Sequence, residues 1–274
     1  MSDIDLIVNC YERTYREVLQ PGYFLGIEKQ NQQRFSGRIA VINNVDDRGS
    51  ADSAAMALLA SGEITSYVFV ADRIDEALKR VGLSRRTLGQ RPYFLDFALV
   101  MAITGESPLV LGWDAEVRLQ YVADWVTAGS SLLHRRPDVF SVSPRWPARA
   151  FDTLNQETLD RDGIWHLSWG FSDQIWLVRR HEIAQRIYRR FAPAALARHS
   201  EHPRTFEARI EAYQRAEKRY RAIHDSIGYV HNDMESVLTR LGLTRREAEV
   251  TRWLNGSRRL LERGAWQKPR LRLP

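Results

Sequence analysis

Short apolar runs alternate with amphipathic stretches through the first half of the chain. Residues 4–8 have the length and character of a strand, as do 38–42, 67–70 and 109–113. Between them, residues 15–32 carry a helical pattern that Pro21-Gly22 interrupts, predicting a loop and a shorter helix. Residues 52–60 predict a helix with an acidic start, and 74–81 a helix ending at Gly82. Residues 92–103 form an apolar helical run with Pro92 in its first turn and Gly105 past its end. Strands alternating with helices predict an α/β chain with a sheet between helical layers. The second half is less regular. Residues 139–143 and 175–178 read as strands, and 182–191 and 206–223 as helices, the latter charged and amphipathic. Residues 235–241 and 245–254 read as a helical, basic C-terminal extension with a basic tail at 268–274, so the chain divides into a domain over 1–234 and an extension over 235–274. No internal repeat is visible.

Composition narrows this picture. The chain has 274 residues, 44% of them hydrophobic, enough for one large core with a small appendage. A single cysteine, Cys10, excludes an internal disulfide and fits a reducing compartment. The first residues lack the basic segment, apolar core and cleavage site of a signal peptide, and no apolar stretch approaches the roughly 20 residues that cross a bilayer. A cytoplasmic location is therefore expected. The net charge of +6 favours anionic partners, and arginines crowd the part after Arg179.

The segment richest in chemistry is Ser107-Pro-Leu-Val-Leu-Gly-Trp-Asp-Ala-Glu-Val, an apolar strand that delivers Asp114 and Glu116 just past its carboxyl end. Ligands of open α/β sheets bind at that edge. Side chains two apart in an extended segment point the same way, so the two carboxylates can grip one hard divalent ion. A solvated turn is the plainer reading of an Asp-x-Glu triplet, and it is the strand-helix context that argues against it.

The order of strand, Tyr11-containing loop, helix, Asn-rich strand end, helix, strand, helix, strand and acidic pair resembles the GT-A glycosyltransferases. It looks most like the inverting family-two group that builds bacterial surface polysaccharides. The likeness runs over residues 4–231, with Glu116 standing where that family usually has a second Asp. It implies a GT-A-like, Rossmann-like mixed sheet between helices, and an enzyme that moves a sugar from a nucleoside-diphosphate donor, UDP-linked for preference, with Mn²⁺ or Mg²⁺. The implied acceptor is a glycan or lipid-linked glycan of the lipopolysaccharide or capsule kind.

The same resemblance assigns donor-side residues. Tyr11 would stack on a base and Arg13 meet a phosphate; Asn44 and Asp46 stand at the end of the second strand, where relatives hold the base. Asp72, after the third strand, and Asp96, in the apolar helix, match positions near the donor. Inverting transfer needs a carboxylate to take the acceptor proton. Glu207 matches the family's position for it, but its neighbours are Phe206 and Ala208 rather than a second acid. Asp173, in Gly-Phe-Ser-Asp-Gln between aromatics, is the alternative, and the two stay open. Among seven histidines only His231 stands where the family has a metal ligand. Trp165, Trp169 and Trp176 read as core.

A rival reading starts from residues 243–254, which resemble the first helix of the LuxR-type DNA-binding helix-turn-helix. Residues 257–267 are too short and poorly patterned a stretch for the recognition helix that such a module needs, so nucleic acid is not an expected partner. The basic end is instead expected to make peripheral contact with the anionic inner face of the cell membrane.

Overall fold

The computed structural model describes residues 3–89, 92–146, 158–199 and 203–231. Strand β1 (Ile4–Cys10) is buried along its whole length, as a central parallel strand covered on both faces must be. It pairs in parallel with β2 (Gly37–Ile42) on one side and β4 (Leu109–Asp114) on the other, and β2 pairs with β3 (Ser66–Phe69). Beyond β4 the sheet becomes mixed. β9 (Ile175–Arg179) is antiparallel to both β4 and β6 (Val139–Arg145), and β10 (Tyr220–His231) runs parallel to β6. β8 (Trp165–Ser168) and β7 (Asp160–Asp162) complete the edge, giving the order β3-β2-β1-β4-β9-β6-β10-β8-β7. A short β5 (Val117–Leu119) leaves this path to pair with β10. The expected α/β architecture, a mixed sheet between helices, is present.

Alternation along the strands feeds two cores. Leu6, Val8 and Cys10 face one layer, with Phe24, Ala55 and Leu132 from the helices Tyr23–Asn31, Arg48–Ala60 and Val126–Arg135. Ile7 and Val41 face the other, with Leu78, Leu99 and Ile210 from the helices Val70–Val81, Asp96–Ile103 and Phe206–Glu217. Gly112 in β4 has no room for a side chain, because the Trp176 indole lies where its Cβ would be.

The edge of the sheet away from the strand carboxyl ends is closed by a buried ion pair. Asp5 Oδ2 accepts from Arg180 Nη2 at 2.6 Å and from the Glu106 and Ser107 amides at 2.9 and 3.0 Å. Arg180 also donates to the carbonyls of Ser107 and Thr104. With its polar atoms satisfied in this way, the pair fixes the start of β1 against the turn before β4 and the end of β9.

The expected break at Pro21-Gly22 is present, but the part before it is a short helix, Tyr15–Val18, rather than a loop, followed by Tyr23–Asn31. Glu63 caps the second from outside, accepting from the amides of Gly22 and Phe24. Two expectations fail. The helix at 182–191 shrinks to one turn, Arg180–Ile183. The helix expected over 206–223 ends at Glu217, where Lys218 takes a left-handed conformation (φ 53°). Its remainder is β10, held between β6 and β8 by pairings distant in sequence. The extension at 235–274, including the LuxR-like 243–254, lies outside the described residues.

Candidate active site

β4 carries Asp114 to the carboxyl edge of the sheet, and the chain turns at once. Asp114 Oδ1 accepts the Glu116 amide at 2.8 Å, the Ala115 amide donates to Asn9 O, and Trp113 Nε1 donates to Val117 O at 3.1 Å. Tyr23, reaching from its helix, donates through its hydroxyl to Ala115 O at 3.0 Å. The turn leads into β5, whose Val117 pairs with His231 at the end of β10. That pairing brings His231 Nε2 to 3.9 Å from both Asp114 Oδ1 and Glu116 Oε2. One ligand atom from each of the three lies within 4.8 Å of the others, and all three residues are partly accessible. Two carboxylate oxygens and one imidazole nitrogen are a donor set suited to Mn²⁺ and acceptable to Mg²⁺. The residues present thus fit the expected cation.

Asp173 and Glu207 lie beside this group. Because β9 runs antiparallel to β4, the segment before it reaches the same edge, tied there by the Asp114 amide donating to Gln174 O at 2.7 Å. Thr205 caps the helix Phe206–Glu217 by accepting the Ala208 amide at 3.2 Å, which puts Glu207 in the first turn. Glu207 Oε1 then accepts the Asp173 amide at 3.1 Å, which sets the two carboxyl groups side by side. The alternatives left open by the sequence are therefore neighbours. Burial, and secondarily the Asp173 charge, pushes the Glu207 carboxyl up to about 8; the Asp173 amide and the guanidinium groups of Arg221 and Arg198 oppose the rise. Burial raises Asp173 as well, and His231 and His199 are among the groups that counter it. Desolvation and mutual repulsion of two neighbouring acids both favour the neutral form, which is why both are raised.

The expected donor-side residues are spread along the edge toward β3. Tyr11 follows β1 half-buried, its amide donating to Thr14 Oγ1, while Arg13 is exposed. Asn44 is exposed with a left-handed backbone (φ 44°); Asp46 is exposed and its amide donates to Glu12. Asp72 is exposed and bound at both oxygens by Arg48, whose guanidinium covers the Phe69 ring at 4.1 Å. Asp96 is buried at the start of its helix, where it accepts from Phe97 N at 2.6 Å and from Asn43 Nδ2 at 3.3 Å. Burial raises its pKa. It is thus Asn43, one place before the residue singled out, that turns inward from β2.

Three further groups were not anticipated. Asn9 pairs in register with Asp114, and its buried Oδ1 has no hydrogen-bond partner among the described residues. Tyr229 and Ser172 bond through their hydroxyls at 3.1 Å beneath Asp173. Trp169, expected in the core, is only half-buried, with the Arg215 guanidinium 4.8 Å over its ring; Trp165 and Trp176 are buried as expected. Asn9 gave a signal in being the polar residue that ends an otherwise apolar run.

No protein-family model matches the chain, and no curated protein matches it. Solved structures do. Glucosyl-3-phosphoglycerate synthase from Mycobacterium tuberculosis with Mg²⁺ and UDP is 12% identical, with 88% of this chain and 80% of that one covered and a TM-score of 0.40. Mouse xyloside xylosyltransferase 1 is 12% identical over 77% and 79% of the two chains, at a TM-score of 0.38. Galactosyltransferase LgtC with donor and acceptor sugar analogs is 12% identical over 77% and 69%, at 0.36. Against the mycobacterial synthase with Mn²⁺, UDP and phosphoglyceric acid the TM-score is 0.35, and this chain spans 56% of that one's length. Likenesses this distant carry no argument about activity, which has to come from the residues of the chain itself.

Proposed function

We propose that the chain is a nucleotide-sugar-dependent glycosyltransferase that moves a hexose from a nucleoside-diphosphate donor, UDP-linked, to a hydroxyl of a surface-glycan or lipid-linked glycan acceptor, with inversion. The observation that carries the reading is the convergence of Asp114, Glu116 and His231 at the carboxyl edge of the sheet, next to the desolvated pair Asp173 and Glu207. The first three would hold Mn²⁺ or Mg²⁺ together with the donor's diphosphate. A cation bound there offsets the negative charge that gathers on the departing diphosphate.

The remaining work falls to the protein's side chains. In its ionised form Glu207 takes the proton of the acceptor hydroxyl as that oxygen bonds to the anomeric carbon and the bond from that carbon to the diphosphate breaks. Its raised pKa makes it a stronger base than an ordinary carboxylate, and the Asp173 amide fixes the orientation of its carboxyl group. The half-buried Trp169 offers a flat apolar face for an acceptor sugar ring four residues before Asp173. Toward β3, Asp96 and Asn43 form a buried polar pair suited to donor hydroxyls.

Thermal shift with UDP-, GDP-, dTDP- and CMP-sugars, each with and without Mn²⁺, tests the proposal. A bound donor at a hundred times its Kd stabilises by about 2.7 kcal/mol. UDP-sugars with Mn²⁺ should raise the Tm, and Asp114→Ala and His231→Ala should each remove the Mn²⁺-dependent part. A protein whose Tm answers to no nucleotide sugar would sink the proposal. The anomeric configuration of the first product, read by NMR, decides inversion.

A further inference from the structure

Phe191 is the most exposed large apolar side chain among the described residues, at 70%. Five residues later Leu196 is 46% exposed, on the short helix Pro193–Arg198. An isolated exposed apolar residue needs no explanation. Here, however, cations gather about the segment that carries these two side chains. Arg186 and Arg189 precede it, and Arg209 lies alongside, donating through Nη1 to Tyr188 O at 2.9 Å. Arg204 joins them, since Arg209 Nε donates to Arg204 O at 3.3 Å. Arg186, Arg189, Arg204 and Arg209 have no carboxylate partner among the described residues. Arg190 does, pairing with Glu217 at 2.8 Å. Burial, and after it the nearby charges of Arg204 and Arg189, disfavour the charged form of Arg209. Like charges held together destabilise a fold unless something anionic meets them.

We propose that this surface, with Phe191 and Leu196 as apolar tips and Arg186, Arg189 and Arg204 as the cationic rim, docks on an anionic lipid bilayer. Charge complementarity calls for a polyanion, and the two exposed apolar side chains decide its kind. A bilayer interface accepts an aromatic and a leucine below the headgroups while arginines stay at the phosphates. A nucleic-acid backbone would use the arginines and leave Leu196 in water. Arg209 ties this surface to the helix Phe206–Glu217, whose first turn carries Glu207. The inference stands on the surface alone and does not require the transfer reaction. It also differs from the expectation that the basic end at 235–274 meets the membrane.

Co-sedimentation of the full chain with vesicles tests it, comparing phosphatidylglycerol mixed with phosphatidylcholine against phosphatidylcholine alone, at low and raised salt. The wild type should bind the anionic vesicles in a salt-sensitive way and leave the neutral ones. Arg189→Ala and Arg204→Ala should each weaken binding about fivefold, the equivalent of about 1 kcal/mol per basic residue near an anionic surface. Phe191→Ser should weaken it about tenfold, in line with losing the burial of one aromatic side chain. All three positions are surface sites, so melting curves should match the wild type and confirm folded protein. Anionic-vesicle binding that all three variants retain would overturn the proposal and point to the C-terminal segment. Binding weakened by the arginine variants but indifferent to Phe191→Ser, and matched by duplex DNA, would overturn it in favour of a nucleic-acid surface.

Discussion

Replacing Glu207 by Gln should make the metal-free protein more stable at alkaline pH while stopping transfer. Glutamine keeps the size and the carbonyl oxygen that accepts the Asp173 amide, and removes only the charge. The folded-state pKa of Glu207 is about 8 against an ordinary 4.5. A group raised in this way favours the folded state most below pH 4.5, and that contribution is lost as pH rises through 8. Each tenfold in proton affinity corresponds to about 1.4 kcal/mol, so the full loss is at most about 5 kcal/mol. Glu207 is partly accessible, which discounts this to about 2–3 kcal/mol, or roughly 4–8 °C in Tm for a chain of this size. The assay is thermal melting of chelator-treated wild type and Glu207→Gln from about pH 5 to about pH 9. The two curves should nearly coincide at the acid end and diverge steadily toward the alkaline end, with the variant above. A Tm difference that does not change with pH, or a variant less stable at the alkaline end, would show that Glu207 is not held desolvated against Asp173. With donor and acceptor present, the variant should lose at least about 100-fold in turnover.

Two other substitutions probe the frame that holds the site. Asp5→Ala leaves Arg180 buried without its carboxylate and should cost about 3–5 kcal/mol in urea unfolding, most of it recovered by adding Arg180→Met; no recovery would mean that the pair's role is not the burial of its charge. Gly112→Ala pushes a methyl group into the Trp176 indole and should cost about 1–3 kcal/mol, with quenching or a shift of tryptophan fluorescence; a neutral substitution would show that the indole can move aside.

How much of this was legible in the sequence depends on the distance over which each feature is decided. Leu109–Asp114 was readable because an apolar run of strand length is a local signal, and the acids at its end mark a sheet edge. The break at Pro21-Gly22 and the helix end at Gly82 were local as well. β10 was not. Its first residues continue the charged, amphipathic pattern of the preceding helix. Only the left-handed Lys218 and the partners β6 and β8, drawn from elsewhere in the chain, turn it into a strand. His231 could be named from a resemblance, yet the contact with Asp114 and Glu116 arises from the β5–β10 register, which no spacing rule encodes. Asp173 and Glu207 looked like competitors for one role because their adjacency depends on β9 being antiparallel to β4.

Which edge of the sheet is functional can be argued from charge alone. Buried carboxylates elsewhere in the described residues are neutralised or capped. Asp5 has Arg180 and two amides, and Glu28 has Arg34, Arg38 and the Phe35 amide. Glu63 accepts from Gly22 and Phe24, and Glu211 is enclosed by Arg198, His199 and Arg215. At the carboxyl edge the acids are gathered more densely, even with Arg221 and Arg198 near Glu207 and two N–H donors on Asp96. Asp114 and Glu116 face each other and a histidine, Asp173 faces Glu207, and Asp96 has an amide side chain and its neighbour's N–H. Folding alone gives no reason to gather so many acids within reach of one another, since each costs desolvation and mutual repulsion. A cation and a proton-transfer step both give one. The asymmetry between the two edges therefore supports a catalytic reading independently of any likeness to other proteins.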